Sequence, residues 1–153
     1  VIVRPWAHFW STLPDDTIED DKDIIQFGGK GVAEAVAGLL RGLGCSVEGP
    51  EYAGDHGWDF EVTKSGRRFF GQVTEIEGYW LVLANMSWSD RFFGRQPPVY
   101  LDLLRGLARE LAADSRFVTV RWYTQEEWGN EERPGASDPI EDPPKRGRRD
   151  RKR

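Results

Sequence analysis

Asp55-His56-Gly57-Trp58-Asp59 sets an imidazole beside two carboxylates within five residues. An imidazole oriented by a carboxylate is a general base near neutral pH. On that reading Asp55, His56 and Asp59 form the centre of a hydrolase-like or metal-dependent enzyme. The supply of ligands is thin. The chain has two His and one Cys, so carboxylates would have to complete a three- or four-ligand metal site. The plainer reading is a turn at a strand entry, where Asp and His satisfy backbone groups. Cys45 with His56 would make a nucleophile–base pair. Cys45 follows a helix-ending glycine and faces the core by pattern, so it reads as a buried, inert thiol. No cofactor or metal is expected.

Gly28-Gly29-Lys30-Gly31 precedes a helix, where backbone N–H groups can cradle an anion. It lacks the spacing and the hydroxyl residue of a P-loop and the frame of a dinucleotide fingerprint. A flexible turn is expected instead.

Two segments interleave bases with aromatics: Arg67-Arg68-Phe69-Phe70 and Arg91-Phe92-Phe93-Gly94-Arg95. Such mixtures stack on bare nucleobases or anchor protein interfaces. Trp88, Arg91, Phe92, Phe93 and Arg95 lie in a stretch without periodicity, which favours an interface. The alternative is a loop folded back so that its rings join the core. Helix, three strands and helix over residues 32–113 resemble, in topology alone, the double-stranded-RNA-binding domain. That domain's basic cluster at the second helix is replaced here by Gln96-Pro97-Pro98-Val99.

Charge argues against phosphate binding by the body. Residues 1–128 carry 13 basic and 20 acidic side chains, a net of −7; residues 129–153 carry 8 and 6, a net of +2, giving −5 in all. The last nine residues hold Lys145, Arg146, Arg148, Arg149, Arg151, Lys152 and Arg153 against one acid. That tip suits nucleic acid or an anionic surface. The other pole is residues 14–23, with six acids and one Lys. It reads as an exposed acidic loop, in which Asp15, Asp16, Asp20 and Asp21 would steer a basic partner.

The elements that must position these residues follow from periodicity. Val32, Val36, Leu39, Leu40 and Leu43 predict a helix closed by Gly44. Gly38 and Gly42 within it are tolerable only if that face packs closely on something. Trp58, Phe60 and Val62 alternate with polar residues and predict a half-buried strand. Lys64-Ser65-Gly66 turns it into a return strand over 68–76. The unbroken run Tyr79 to Ala84 predicts a central strand covered on both faces. Pro97-Pro98 opens a second helix with Tyr100, Leu103, Leu104, Leu107 and Leu111 as its stripe. Phe117 to Tyr123 is a last strand, with Val118, Val120 and Trp122 on one side. Ile24, Ile25 and Phe27 are expected to re-enter the body.

The predicted fold is α+β. A mixed or antiparallel sheet of four to five strands carries two amphipathic helices on one face, in the order α-(β)-β-β-β-α-β. Residues 1–128 form one domain and 129–153 a disordered tail. The N-terminal aromatics Trp6, Phe9 and Trp10 are expected to cover the second face of the sheet, with a second copy of the chain as the alternative.

One cysteine rules out an internal disulfide, no apolar run is long enough for a membrane helix, and the opening residues do not read as a signal peptide. A cytoplasmic protein is expected, monomeric or homodimeric. Its start at Val1 leaves the upstream boundary open. The chemistry is too sparse for an enzyme to be the first reading. The expected function is a small non-enzymatic protein-binding module, of the immunity-type inhibitor or adaptor kind by analogy of size and acidity. The rivals are an enzyme at Asp55–His56–Asp59 and nucleic-acid binding through the tail.

Overall fold

The computed structural model describes residues 1–128 and 133–145. In chain order the elements are β1 (Ile2–Val3), β2 (Trp6–Ser11), β3 (Ile18–Glu19), β4 (Ile24–Gln26), α1 (Lys30–Gly42) and β5 (Ser46–Tyr52). A single 3-10 turn (Gly54–His56) leads to β6 (Trp58–Lys64), β7 (Arg67–Glu75) and β8 (Tyr79–Asn85). Then come α2 (Trp88–Phe92), α3 (Pro98–Ala113), β9 (Phe117–Tyr123) and β10 (Ile140–Glu141).

The main sheet has six strands in the order β5-β6-β7-β8-β2-β9, every neighbour antiparallel. The fold is α+β as expected, with more strands and three α-helices. The extra central strand is β2. Trp6-Ala7-His8-Phe9-Trp10 alternates with a period of two, so Ala7 and Phe9 are buried while Trp6, His8 and Trp10 point the other way. The N-terminal segment is therefore part of the sheet and not a lid over it. It also separates β8 from β9, so the strand–helix–strand crossover through α3 skips one position.

Helices α1 and α3 cover one face. Val32, Val36 and Leu40 join Leu103, Leu104 and Leu107 in one core with Phe60, Val62, Phe69, Val73, Leu81 and Leu83. Of the predicted stripes, Val32, Val36 and Leu40 on α1 and all five residues on α3 are buried, while Leu39 and Leu43 are half-buried. Burying a side chain of this size contributes about 1.5–3 kcal/mol. Gly38 and Gly42 do not face a close neighbour: a Cβ at either would meet nothing within 4 Å. The tight packing required of them is absent, whereas Gly106 does lie against Leu43.

Turn chemistry fixes the hairpins. Ser65 and Gly66 both have positive φ (51° and 73°), which matches a two-residue turn to strand twist. Strand β9 departs from simple alternation. Thr119 has φ 55°, and the pairing with β2 shifts register between His8 and Trp10. The irregularity reverses the phase of the strand. Trp122 is buried while Val118 is 44% exposed, so the two do not share a side.

Two segments expected to be irregular are partly ordered. Within the acidic stretch, β3 and β4 form a short hairpin. Ile24 and Ile25 stay largely exposed on it and do not re-enter the core. Only Phe27 comes back, its N–H donating to the Tyr52 hydroxyl at 3.1 Å and its carbonyl accepting from Trp58 Nε1 at 3.1 Å. In the stretch expected to be a tail, Ala136 bridges Trp122, and β10 pairs with β1 and buries Ile140. The body thus extends past residue 128. Of the basic tip, Lys145 alone is described; Arg146, Arg148, Arg149, Arg151, Lys152 and Arg153 lie outside the described residues. No helix among the described residues is long and apolar enough to cross a membrane.

Candidate functional site

The segment after β8 is a mounted knob. Ser87 caps α2, its hydroxyl accepting from the Asp90 N–H at 3.3 Å. A serine at that position satisfies a free helix N–H. Asp90 then turns inward and is buried. Its carboxylate accepts from Arg67 Nη1 at 2.8 Å and from Asn85 Nδ2 at 3.2 Å. The Asn85 bond and the Arg67 charge hold its pKa below the usual carboxylate value. The Arg95 N–H closes the loop on the Asp90 carbonyl at 2.7 Å.

Polar anchors thus hold the knob from below, and its rings are left outside. Trp88 is 73% exposed, Phe92 76% and Phe93 62%. The rings of Phe92 and Phe93 meet edge to face at 5.1 Å, and the Arg95 guanidinium lies 4.8 Å from the Phe93 centroid. These rings do not fold back into the core.

The knob adjoins the sheet face that the helices leave open. Outward residues there form cross-strand rows. One row runs Glu51, Asp59, Gln72, Val82, Trp6 and Tyr123. Aromatics gather at the β8–β2–β9 end: Tyr123, Trp80, His8 and Trp10 follow one another at 5.1, 4.8 and 5.8 Å between ring centroids. His8 Nε2 donates to the Glu77 carbonyl at 2.7 Å. Trp128, from the turn after β9, stacks on Trp6 at 4.5 Å and covers part of this face. The acids gather at the β5–β6 end. Between that end and the knob lies a groove of about 830 Å³. A smaller one of about 540 Å³ separates Arg91 and Arg95 from Val82 and Ala84.

The Asp55–His56–Asp59 cluster does not converge. Asp55 and His56 are exposed on the 3-10 turn, 3.7 Å apart. Asp59 points to the open sheet face, where it accepts from Gln72 Nε2 at 2.7 Å. No group of three His, Cys, Asp or Glu side chains among the described residues is placed to share a metal ion. Cys45 is buried, and burial raises its pKa, moderated by the Lys64 charge.

The glycine turn before α1 is filled by the chain itself. Asp16 reaches forward thirteen and fifteen residues and accepts from the N–H groups of Gly29 and Gly31 at 2.7 and 2.8 Å. Gly29, in a left-handed conformation at the helix N-cap, has no side chain for this task. Asp15 accepts from the Thr17 N–H and hydroxyl. Glu75 closes the cluster, one oxygen buried without a partner against Gly28. Burial, then the charges of Asp15 and Asp16, raise the Glu75 pKa. Asp15 and Asp16 are thus engaged in the fold; Asp20 accepts from the N–H groups of Lys22 and Asp23 in its own turn, and it lies exposed with Glu19, Asp21 and Asp23 on the hairpin.

These features define a two-layer α+β protein with one sheet face open beside an aromatic knob. Compared with known proteins, the chain matches no family model, no curated protein and no solved structure. The aromatic row on the open face was missed in the sequence. The signal for it was the alternation across Trp6 to Trp10.

Proposed function

We propose that this chain is a non-enzymatic protein-binding module whose contacts centre on Trp88, Arg91, Phe92, Phe93 and Arg95. The observation that carries the reading is the exposure of three aromatic rings on a mount fixed by the buried Asp90. Large exposed rings beside arginines are the anchors of protein interfaces, and a fixed mount lowers the entropy lost on docking. The acidic body suits a basic partner, which Asp20 and Asp21 would attract at low ionic strength. An inhibitor of the immunity type, acting on a basic toxin such as a nuclease, or an adaptor, fits that description.

The test is a photo-crosslinking amino acid at Phe92 compared with the same residue at Ile25, which is 61% exposed on the β3–β4 hairpin. A discrete protein adduct at 92 and none at 25 is expected. The variant carrying Trp88→Ser, Phe92→Ser and Phe93→Ser should lose that partner. Its melting temperature should stay near that of the parent, because exposed substitutions change stability by about 0.5 kcal/mol or less each. Undiminished capture by this variant would refute the proposal.

A further inference from the structure

The groove between β5–β7 and the knob has two unlike walls. One is apolar and is formed by Phe70 and the half-exposed Met86. The other carries the acids Glu48, Glu51, Asp59 and Glu61; the two arginines that also line the groove, Arg67 and Arg68, are paired with Asp90 and Glu61. The strand register sets these acids directly opposite each other, Glu48 against Glu61 and Glu51 against Asp59. Like charges facing across a ladder are destabilising, and a polar edge has no structural need of them. Arg68 pairs with Glu61 and Gln72 donates to Asp59. Among the described residues Glu48 and Glu51 have no cationic partner. Glu48 and Glu51 therefore carry an electrostatic cost that no cation among the described residues offsets, at the end of the sheet face away from Trp128.

From this we infer that the groove takes an extended segment of a partner protein in which basic and apolar side chains alternate. Successive side chains of an extended strand point to opposite sides. Alternate residues would then meet the two walls: arginine or lysine against Glu48 and Glu51, apolar side chains against Phe70 and Met86. The stems of long basic side chains add to the apolar contact. This inference rests on the protein-binding reading above and specifies the chemistry of the partner next to the knob.

The probe is a fluorescein-labelled Arg-Leu-Arg-Leu-Arg-Leu peptide, followed by anisotropy with the full chain at low salt. The Glu48→Gln/Glu51→Gln variant should bind it roughly five- to tenfold more weakly, the value of two exposed ion pairs. Its melting temperature should be equal or higher, since the facing charges are relieved. The control is Glu34→Gln/Glu110→Gln, which removes the same charge from exposed helix positions and should change affinity less than twofold.

Equal losses in the two variants would reduce the effect to net charge and overturn the inference, as would unchanged binding by the groove variant. A concentration-dependent dimer that the groove variant dissociates would make the occupant a second copy, and would also overturn it. If the groove fails while the adduct at Phe92 persists, the protein-binding reading stands without it; if the adduct is missing as well, both fall.

Discussion

Replacing Asp16 with alanine removes the one side chain that caps α1. The carboxylate bridges the N–H groups of Gly29 and Gly31 at 2.7 and 2.8 Å, at the positive end of a thirteen-residue helix whose first turn holds no acid. Losing an N-cap acceptor costs about 1 kcal/mol. Losing a negative charge at an exposed helix N-terminus costs about 0.3–1 kcal/mol more. The Gly31 bond is exposed, so water can replace the carboxylate there and the full penalty of a buried unsatisfied donor does not apply to that N–H. The sum is about 1–2 kcal/mol, or roughly 3–6 °C in melting temperature for a domain of this size.

The assay is urea unfolding followed by tryptophan fluorescence, with Asp21→Ala as the reference. Both variants remove one negative charge from an acidic chain, but the Asp21 side chain makes no hydrogen bond or ion pair among the described residues. Asp21→Ala should shift stability by no more than about 0.5 kcal/mol. Asp16→Ala should lower the midpoint without changing the slope. If the two variants unfold together, the cap is not a stabilising contact and the account of α1 is wrong.

Glu75→Gln should stabilise the protein at neutral pH by about 1 kcal/mol or less, because it replaces a carboxylate with a buried, unpartnered oxygen near two other acids. Glu75 has a raised pKa in the folded state. Its favourable contribution is therefore present at pH below the unfolded carboxyl value and is lost as pH rises through the folded value. The gain of the glutamine variant should fade below about pH 4, and a gain that persists there would contradict the assignment. Asp90→Ala leaves every knob ring in place but removes their mount. Limited proteolysis should cut residues 86–96 faster, and partner dissociation should speed up. Wild-type rates in both measurements would show that Asp90 does not position the knob.

The parts of the fold legible in the sequence are those where one period dominates. The stripes of α1 and α3 and the alternation of β6 each need a single buried face, and each is where the pattern puts it. What was not legible depends on partners far along the chain. Trp6 to Trp10 alternates plainly, but a six-residue strand does not announce that it will sit between residues 79–82 and 117–123. In β9, one residue with positive φ inverts the side on which Trp122 lies, and a threonine gives no warning of that. Asp16 reads as one acid among six in a polar run; only the tertiary structure brings it to a helix end. At the candidate site, the residue types of the knob were readable, and their outward orientation required knowing that Asp90 is the one turned in. The pairing of Glu48 and Glu51 with other acids depends on a register shift in β5 that separates them by three residues against two on β6.

The place of β2 bears on how this chain is made and handled. The sheet cannot close until β2 has met one segment made about 70 residues later and another made about 110 residues later. Such distant pairings delay folding, and a Trp-rich segment must wait in water meanwhile. Trimming the first eleven residues, a routine step in preparing shorter versions of a protein, would remove an inner stave and leave two raw edges. An affinity tag fused directly ahead of these residues needs a spacer for the same reason, since β2 opens at Trp6.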